Sequence, residues 1–136
     1  MSGKKTMPPD VAVVIPSYEP SEYLLITVRS LVESGAENVI VVNDGSDRKY
    51  NFFFERLRDV PSVTVLRHPK NIGRGAAIKT GIKYCLDNVP SCRAIVTVDG
   101  DGHHRVKDVV ACAHKTVDSK SVILGEREND DPTILR

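Results

Sequence analysis

The sequence predicts an α/β fold, an open and mostly parallel sheet with helices on both faces. Three observations lead there. Short runs of consecutive Val, Ile and Ala recur along the chain, and strands apolar on both sides belong to parallel sheets covered on both faces. Segments with helical apolar spacing alternate with those runs, the order that layers helices onto a sheet. Several runs end in loops of Asp, Gly, Ser and Pro, at the edge where open parallel sheets take their ligands.

The elements follow in order. Val11 to Ile15 is an apolar strand closed by Pro16. A helix is expected from about Glu22 to Ser34, with Ser21 as N-cap, Gly35 past the end, and Leu24, Leu25, Val28, Leu31 and Val32 in helical register. Val39 to Val42 is a second buried strand, running into Asn43-Asp44-Gly45-Ser46. A weaker helix, about Lys49 to Arg58, carries Phe52, Phe53 and Leu57. Val63, Val65 and Leu66 form a third strand, ended by Pro69. Ile78, Ile82, Cys85 and Leu86 stripe a helix over Gly73 to Asp87. Ala94 to Val98 is a fourth strand, Val106 to Val117 a further helix, and Val122 to Leu124 a last short strand. Residues 11–126 thus form one domain, with 1–10 and 127–136 expected to be flexible.

Composition narrows the function. The chain has 136 residues and a net charge of +1, which gives no field to gather nucleic acid or an anionic membrane. No apolar run approaches the roughly 20 residues a membrane span needs, and the N-terminus has no apolar signal region. Cys85, Cys92 and Cys112 are odd in number and lack metal-ligand spacing, so they read as reduced thiols of a cytoplasmic protein.

The most informative segment is Ile95-Val96-Thr97-Val98-Asp99-Gly100-Asp101-Gly102-His103-His104. Side chains at i and i+2 of a strand point the same way, so Asp99 and Asp101 leave the sheet edge together. Two adjacent carboxylates repel unless a cation sits between them. Mg²⁺ or Mn²⁺ suits such oxygen ligands and keeps positions open for phosphates, and His103 adds a nitrogen that manganese accepts. The alternative is a polar loop with an Asp-Gly turn. Asp44-Gly45-Ser46 likewise reads as a binding loop or a plain turn, and Tyr18 as a platform for a base or a rim aromatic. Asn71-Ile72-Gly73-Arg74-Gly75-Ala76-Ala77 opens a helix, so its N–H groups and Arg74 suit a phosphate; helix capping with close packing by Gly75 and Ala76 reads equally well.

Taken together, VVIPSYEP (13–20), VVNDGSD (41–47), NIGRGAAIKTGI (71–82), VDGDGHH (98–104) and LGERE (124–128) resemble the family-2 glycosyltransferases of the GT-A fold, in particular synthases of dolichyl-phosphate and undecaprenyl-phosphate sugars. The resemblance implies the Rossmann-like, nucleotide-binding half of that fold, with a DxD motif at Asp99 and Asp101 as the catalytic acid pair. It implies a nucleotide pocket lined by Pro16, Tyr18, Glu19 and Val42, with Asp44 hydrogen-bonding the base. Arg74, Lys79 and Asp99 would face the diphosphate, with Arg127 beside the sugar-phosphate. Asp99, Asp101 and His103 would hold Mg²⁺ or Mn²⁺. The donor would be a UDP- or GDP-sugar, and the acceptor a lipid phosphate or another glycan at the cytosolic face of a membrane. As a base contact, Asp44 could be removed with little change in melting temperature.

Three positions depart from the family pattern. Asn43 replaces a common Asp, His103 a common Gln, and Glu19-Pro20 a common Asn-Glu. Family members also continue well beyond the equivalent of Arg136, so the chain is expected to hold the donor half, to bind donor with little transfer, and to self-associate or meet a membrane-bound partner. A nucleotide-sugar-binding module without turnover is the alternative. A phospho-acceptor receiver domain is disfavoured, because Ile15-Pro16-Ser17 supplies no acid after the first strand.

Overall fold

The computed structural model describes residues 6–100, 105–119, 122–125 and 132–135. Its elements are β1 (Val11–Ser17), α1 (Tyr23–Glu33), β2 (Asn38–Asn43), a 3₁₀ turn (Arg48–Tyr50), α2 (Asn51–Arg58), β3 (Val63–Arg67), α3 (Arg74–Asn88), β4 (Ala94–Thr97), α4 (Val106–Ser119), β5 (Val122–Gly125) and β6 (Pro132–Leu135). They form one six-stranded sheet in the order β3-β2-β1-β4-β5-β6. The first five strands pair in parallel, and β6 runs antiparallel to β5.

Alternation along the strands divides the core in two. Val11, Val13 and Ile15 of β1 join Val39 and Val41 of β2 on one face, under Leu24, Val28 and Leu31 of α1, Phe54 and Leu57 of α2, and Val109, Val110 and Ala113 of α4. Ala12, Val14, Ile40 and Val42 point the other way, under Ala77 and Cys85 of α3. The central strands β1 and β2 carry apolar residues in consecutive positions because both of their faces carry helices. Gly81 lets α3 lie tight on β1, since a Cβ there would run into the Val14 side chain.

Pro16 sits inside the central strand β1 without breaking a ladder. The Val14 carbonyl accepts from the Val98 N–H toward β4, and Pro16, two residues on, faces the same way. The β1–β4 register ends at Val14↔Thr97, so the missing N–H of Pro16 leaves no partner stranded.

Two described segments near the chain ends differ from expectation. Within residues 6–10, expected to be flexible, Met7 and Pro8 are buried, the Met7 N–H donates to the Ser34 carbonyl at 2.7 Å, and His114 reaches the Thr6 carbonyl. Met7 offers an apolar side chain to the core face that holds Leu31 and Ala36, and that burial outweighs the polarity of its neighbours in sequence. At the other end, β6 lies inside the stretch 127–136 expected to be flexible. It satisfies the edge of β5, and its proline occupies the first strand position, where a missing N–H is tolerated. The helix α1 starts one residue later than expected, with Glu22 rather than Ser21 at the cap position; Ser21 accepts from the Tyr23 N–H instead. Among the described residues no helix is long and apolar enough to cross a membrane.

Candidate functional site

The chain builds the sheet outward from β1 to β2 and β3, then returns to lay β4 on the other side of β1. That reversal opens a crevice beyond the carboxyl ends of β1 and β4. The loops after β1, β2 and β4 all reach it, and they are joined to one another by side chains.

After β1, Tyr18 stands half exposed, and Glu19 takes a left-handed backbone with φ 48°. Such a conformation is unusual for a residue with a Cβ. It is held by the Glu19 N–H donating to Ser46 Oγ at 2.8 Å, across 27 residues. After β2, Asn43 Oδ1 accepts from the Ser46 N–H, and the Asp44 N–H donates to the Ser17 carbonyl. Gly45, with φ 72°, is required twice over: the backbone favours glycine, and a Cβ would collide with the backbone of Lys70 and Asn71. The turn after β2 is thus pressed against the segment that leads into α3.

Asp44 lies where those segments meet and is only 2% exposed. Its Oδ1 accepts from His68 Nδ1 at 2.7 Å and from the Ile72 N–H at 3.0 Å. Its Oδ2 accepts from Asn71 Nδ2 at 2.9 Å and from the Gly73 N–H at 2.9 Å. Burial pushes the carboxyl up, but the bonds from His68, Ile72 and Gly73 outweigh it and hold the group below its ordinary value. A carboxylate offers about four lone-pair sites, and internal donors take them all.

His68 extends the network. Its Nε2 meets Thr80 Oγ1 at 2.8 Å, and the Thr80 hydroxyl donates to the Ala76 carbonyl one turn back along α3. Asp44, His68 and Thr80 therefore tie the β2 loop to the body of α3. Sequence reasoning missed both His68 and Thr80. A signal existed in hindsight: a histidine directly after an apolar strand is seldom buried without a partner.

At the head of α3, Arg74 reaches across to β4. Its Nε and Nη2 both donate to Asp99 Oδ1, at 3.1 and 3.0 Å. Asp99 is buried at the end of the crevice, and Gly100 beside it fits tightly against Leu24 and Ile15. Gly75, by contrast, faces open space, so close packing is not its role; Gly81 has that one.

The other expected residues divide. Pro16, Tyr18, Glu19, Asp44, Arg74 and Asp99 gather at the crevice edge. The Val42 side chain is fully buried under α3, which leaves it only backbone to offer a ligand. Lys79 is exposed on α3, about 140° around the helix from Arg74. Asp101, His103 and Arg127 lie outside the described residues. Among the described residues no cluster of three or more His, Cys, Asp or Glu side chains is placed to hold a metal. Asp99 is nonetheless a hard oxygen donor already gripping a cation, which fits Mg²⁺ or Mn²⁺.

The chain is similar to several known proteins. The chain is 36% identical over 100 residues to the uncharacterized protein MJ1222 of Methanocaldococcus jannaschii, covering 74% of this chain and 39% of that one. It is 27% identical over 131 residues to a UDP-N-acetylglucosamine–dolichyl-phosphate N-acetylglucosaminyltransferase of Methanococcus voltae, covering 86% and 51%. It is 29% identical over 130 residues to the dolichyl-phosphate beta-glucosyltransferase ALG5C of Trichomonas vaginalis, covering 84% and 37%. The chain thus spans about half or less of the length of these relatives. The profile of glycosyl transferase family 2 matches residues 12–133, nearly the whole sheet and every loop of the crevice, and the chain belongs to that family.

Proposed function

We propose that the chain binds a nucleotide-diphosphate sugar through Mg²⁺ or Mn²⁺ and serves in transfer of the sugar to a lipid phosphate at the cytosolic face of a membrane. The observation that carries this reading is the interlocked edge: loops after β1, β2 and β4 held together through Glu19–Ser46, the Asp44 network and Arg74–Asp99. Such a rigid rim at the reversal point of a parallel sheet suits a nucleotide. Two relatives whose names specify transfer to dolichyl phosphate support the acceptor class.

In this reading Pro16, Tyr18, Glu19 and the backbone of Val42 line the nucleotide side. Asp44 shapes the loop against which the base rests, and a base N–H would take the place of one of its internal donors. Asp99, with Asp101 and His103, holds the cation, and Arg74, Lys79 and Arg127 face the phosphates and sugar. The bound cation supplies Lewis-acid stabilisation of the diphosphate as it leaves. Backbone N–H groups fixed at the head of α3 would add to it without reorganising. A phosphate acceptor is already ionised near neutral pH, so it asks little of a general base.

The test is transfer of radiolabelled sugar from UDP- and GDP-sugars to a polyprenyl phosphate, with donor hydrolysis followed in parallel. Metal-dependent consumption of one donor supports the proposal. Nucleotide binding with neither hydrolysis nor transfer would instead favour a donor-binding module that acts with another chain.

A further inference from the structure

We infer that Arg74 is a resident counter-ion for Asp99, displaced by the arriving divalent cation and then free to pair with the donor's diphosphate. The inference rests on the proposed function and assigns this chain's own residue a two-position role within it.

Three observations carry it. Asp99 is a buried carboxylate, its side chain 10% exposed, whereas the Arg74 side chain paired with it is 49% exposed. The carboxylate is therefore fixed and the guanidinium can swing. The grip is on one oxygen: Nε and Nη2 both donate to Oδ1, rather than forming the two-oxygen fork that makes arginine–carboxylate pairs strongest. Arg74 is also the first residue of α3, where the helix dipole disfavours a cation unless an anion is close.

A buried carboxylate without a cation is costly, and Arg74 supplies one. A divalent cation on the same carboxylate would face the guanidinium at a distance where like charges repel strongly. Bringing in a diphosphate resolves the conflict, because it offers the displaced arginine a bidentate partner. Arg74 thereby opposes binding of metal alone and favours binding of metal with nucleotide.

Removing it should push the two affinities in opposite directions. Free Mn²⁺ is measured by electron paramagnetic resonance, in titrations without nucleotide and with GDP or UDP, on the whole chain. Arg74→Gln should bind Mn²⁺ alone about tenfold more tightly than the parent and the Mn²⁺–nucleotide complex about tenfold more weakly. Arg74→Lys, which keeps the charge, should leave affinity for Mn²⁺ alone near the parent's; circular dichroism confirms that both variants fold. If Arg74→Gln binds Mn²⁺ alone no more tightly while the parent still binds Mn²⁺–nucleotide, the exchange is overturned and the proposed function stands. If the parent binds neither Mn²⁺ nor its nucleotide complex, the proposed function fails and takes the inference with it.

Discussion

Replacing Asp44 by alanine separates a base contact from an internal organiser. As a simple base contact, its loss would weaken nucleotide binding and leave stability alone. The four donors on its carboxylate change that expectation. Asn71 and Ile72 are exposed, so their donors regain water when the carboxylate goes. The His68 ring and the Gly73 N–H are less accessible, and each stranded buried group costs about 1–3 kcal/mol. Asp44→Ala should therefore destabilise the fold by about 2–4 kcal/mol. For a domain of this size that lowers the melting temperature by roughly 10 °C. Asp44→Asn keeps the shape but turns an NH₂ toward two donors, whichever oxygen it replaces, and should fall between parent and alanine. Thermal unfolding followed by circular dichroism gives the melting temperatures of both variants, and urea unfolding gives their stabilities. A melting temperature for Asp44→Ala within about 2 °C of the parent, with nucleotide affinity reduced, would refute the organiser role.

Three further outcomes are expected. Because the folded pKa of Asp44 is depressed, its contribution to stability is full above the ordinary carboxylate value and lost as pH falls through the folded one; the stability gap between parent and Asp44→Ala should close on acidification below about pH 4, and a gap unchanged down to pH 2 would contradict it. Gly45→Ala places a Cβ into the Lys70–Asn71 backbone at φ 72°, so it should cost more stability than Gly75→Ala, which meets open space; equal unfolding midpoints would show that the two loops are not pressed together. A hydrogen bond from Cys85 holds the Cys92 thiol down at about 7, while that same contact and burial push Cys85 far up, so iodoacetamide should label Cys92 at a rate rising through neutral pH and spare Cys85 until unfolding, as peptide mass spectrometry would show; labelling of Cys85 first would refute this.

The sheet was legible because every strand of the parallel core is apolar in consecutive positions, and each intervening helix keeps its period from Leu24 to Leu31 or from Ala77 to Cys85. The crevice was legible because its loops begin where those runs stop. What escaped was contact between segments distant in sequence. His68 meets Asp44 across 24 residues and Thr80 across 12, and no local motif announces either. The Arg74–Asp99 pair spans 25 residues: both were expected to face a phosphate, but nothing in their spacing says that they hold each other. Met7 and β6 escaped for another reason, since their neighbours in sequence are polar and only the core or sheet edge they meet gives them structure. Val42 was misjudged by adjacency: it borders the loop, yet the two-residue period of a strand turns its side chain into the core.

In the proposed function the crevice beyond β1, β2 and β4 takes a nucleoside diphosphate by way of a divalent cation held at Asp99. Titration calorimetry with UDP and with GDP, in Mn²⁺ and in EDTA, tests it most directly. Binding of one nucleotide in Mn²⁺ and its loss in EDTA are the expected result. Equal affinity for that nucleotide in EDTA would contradict it.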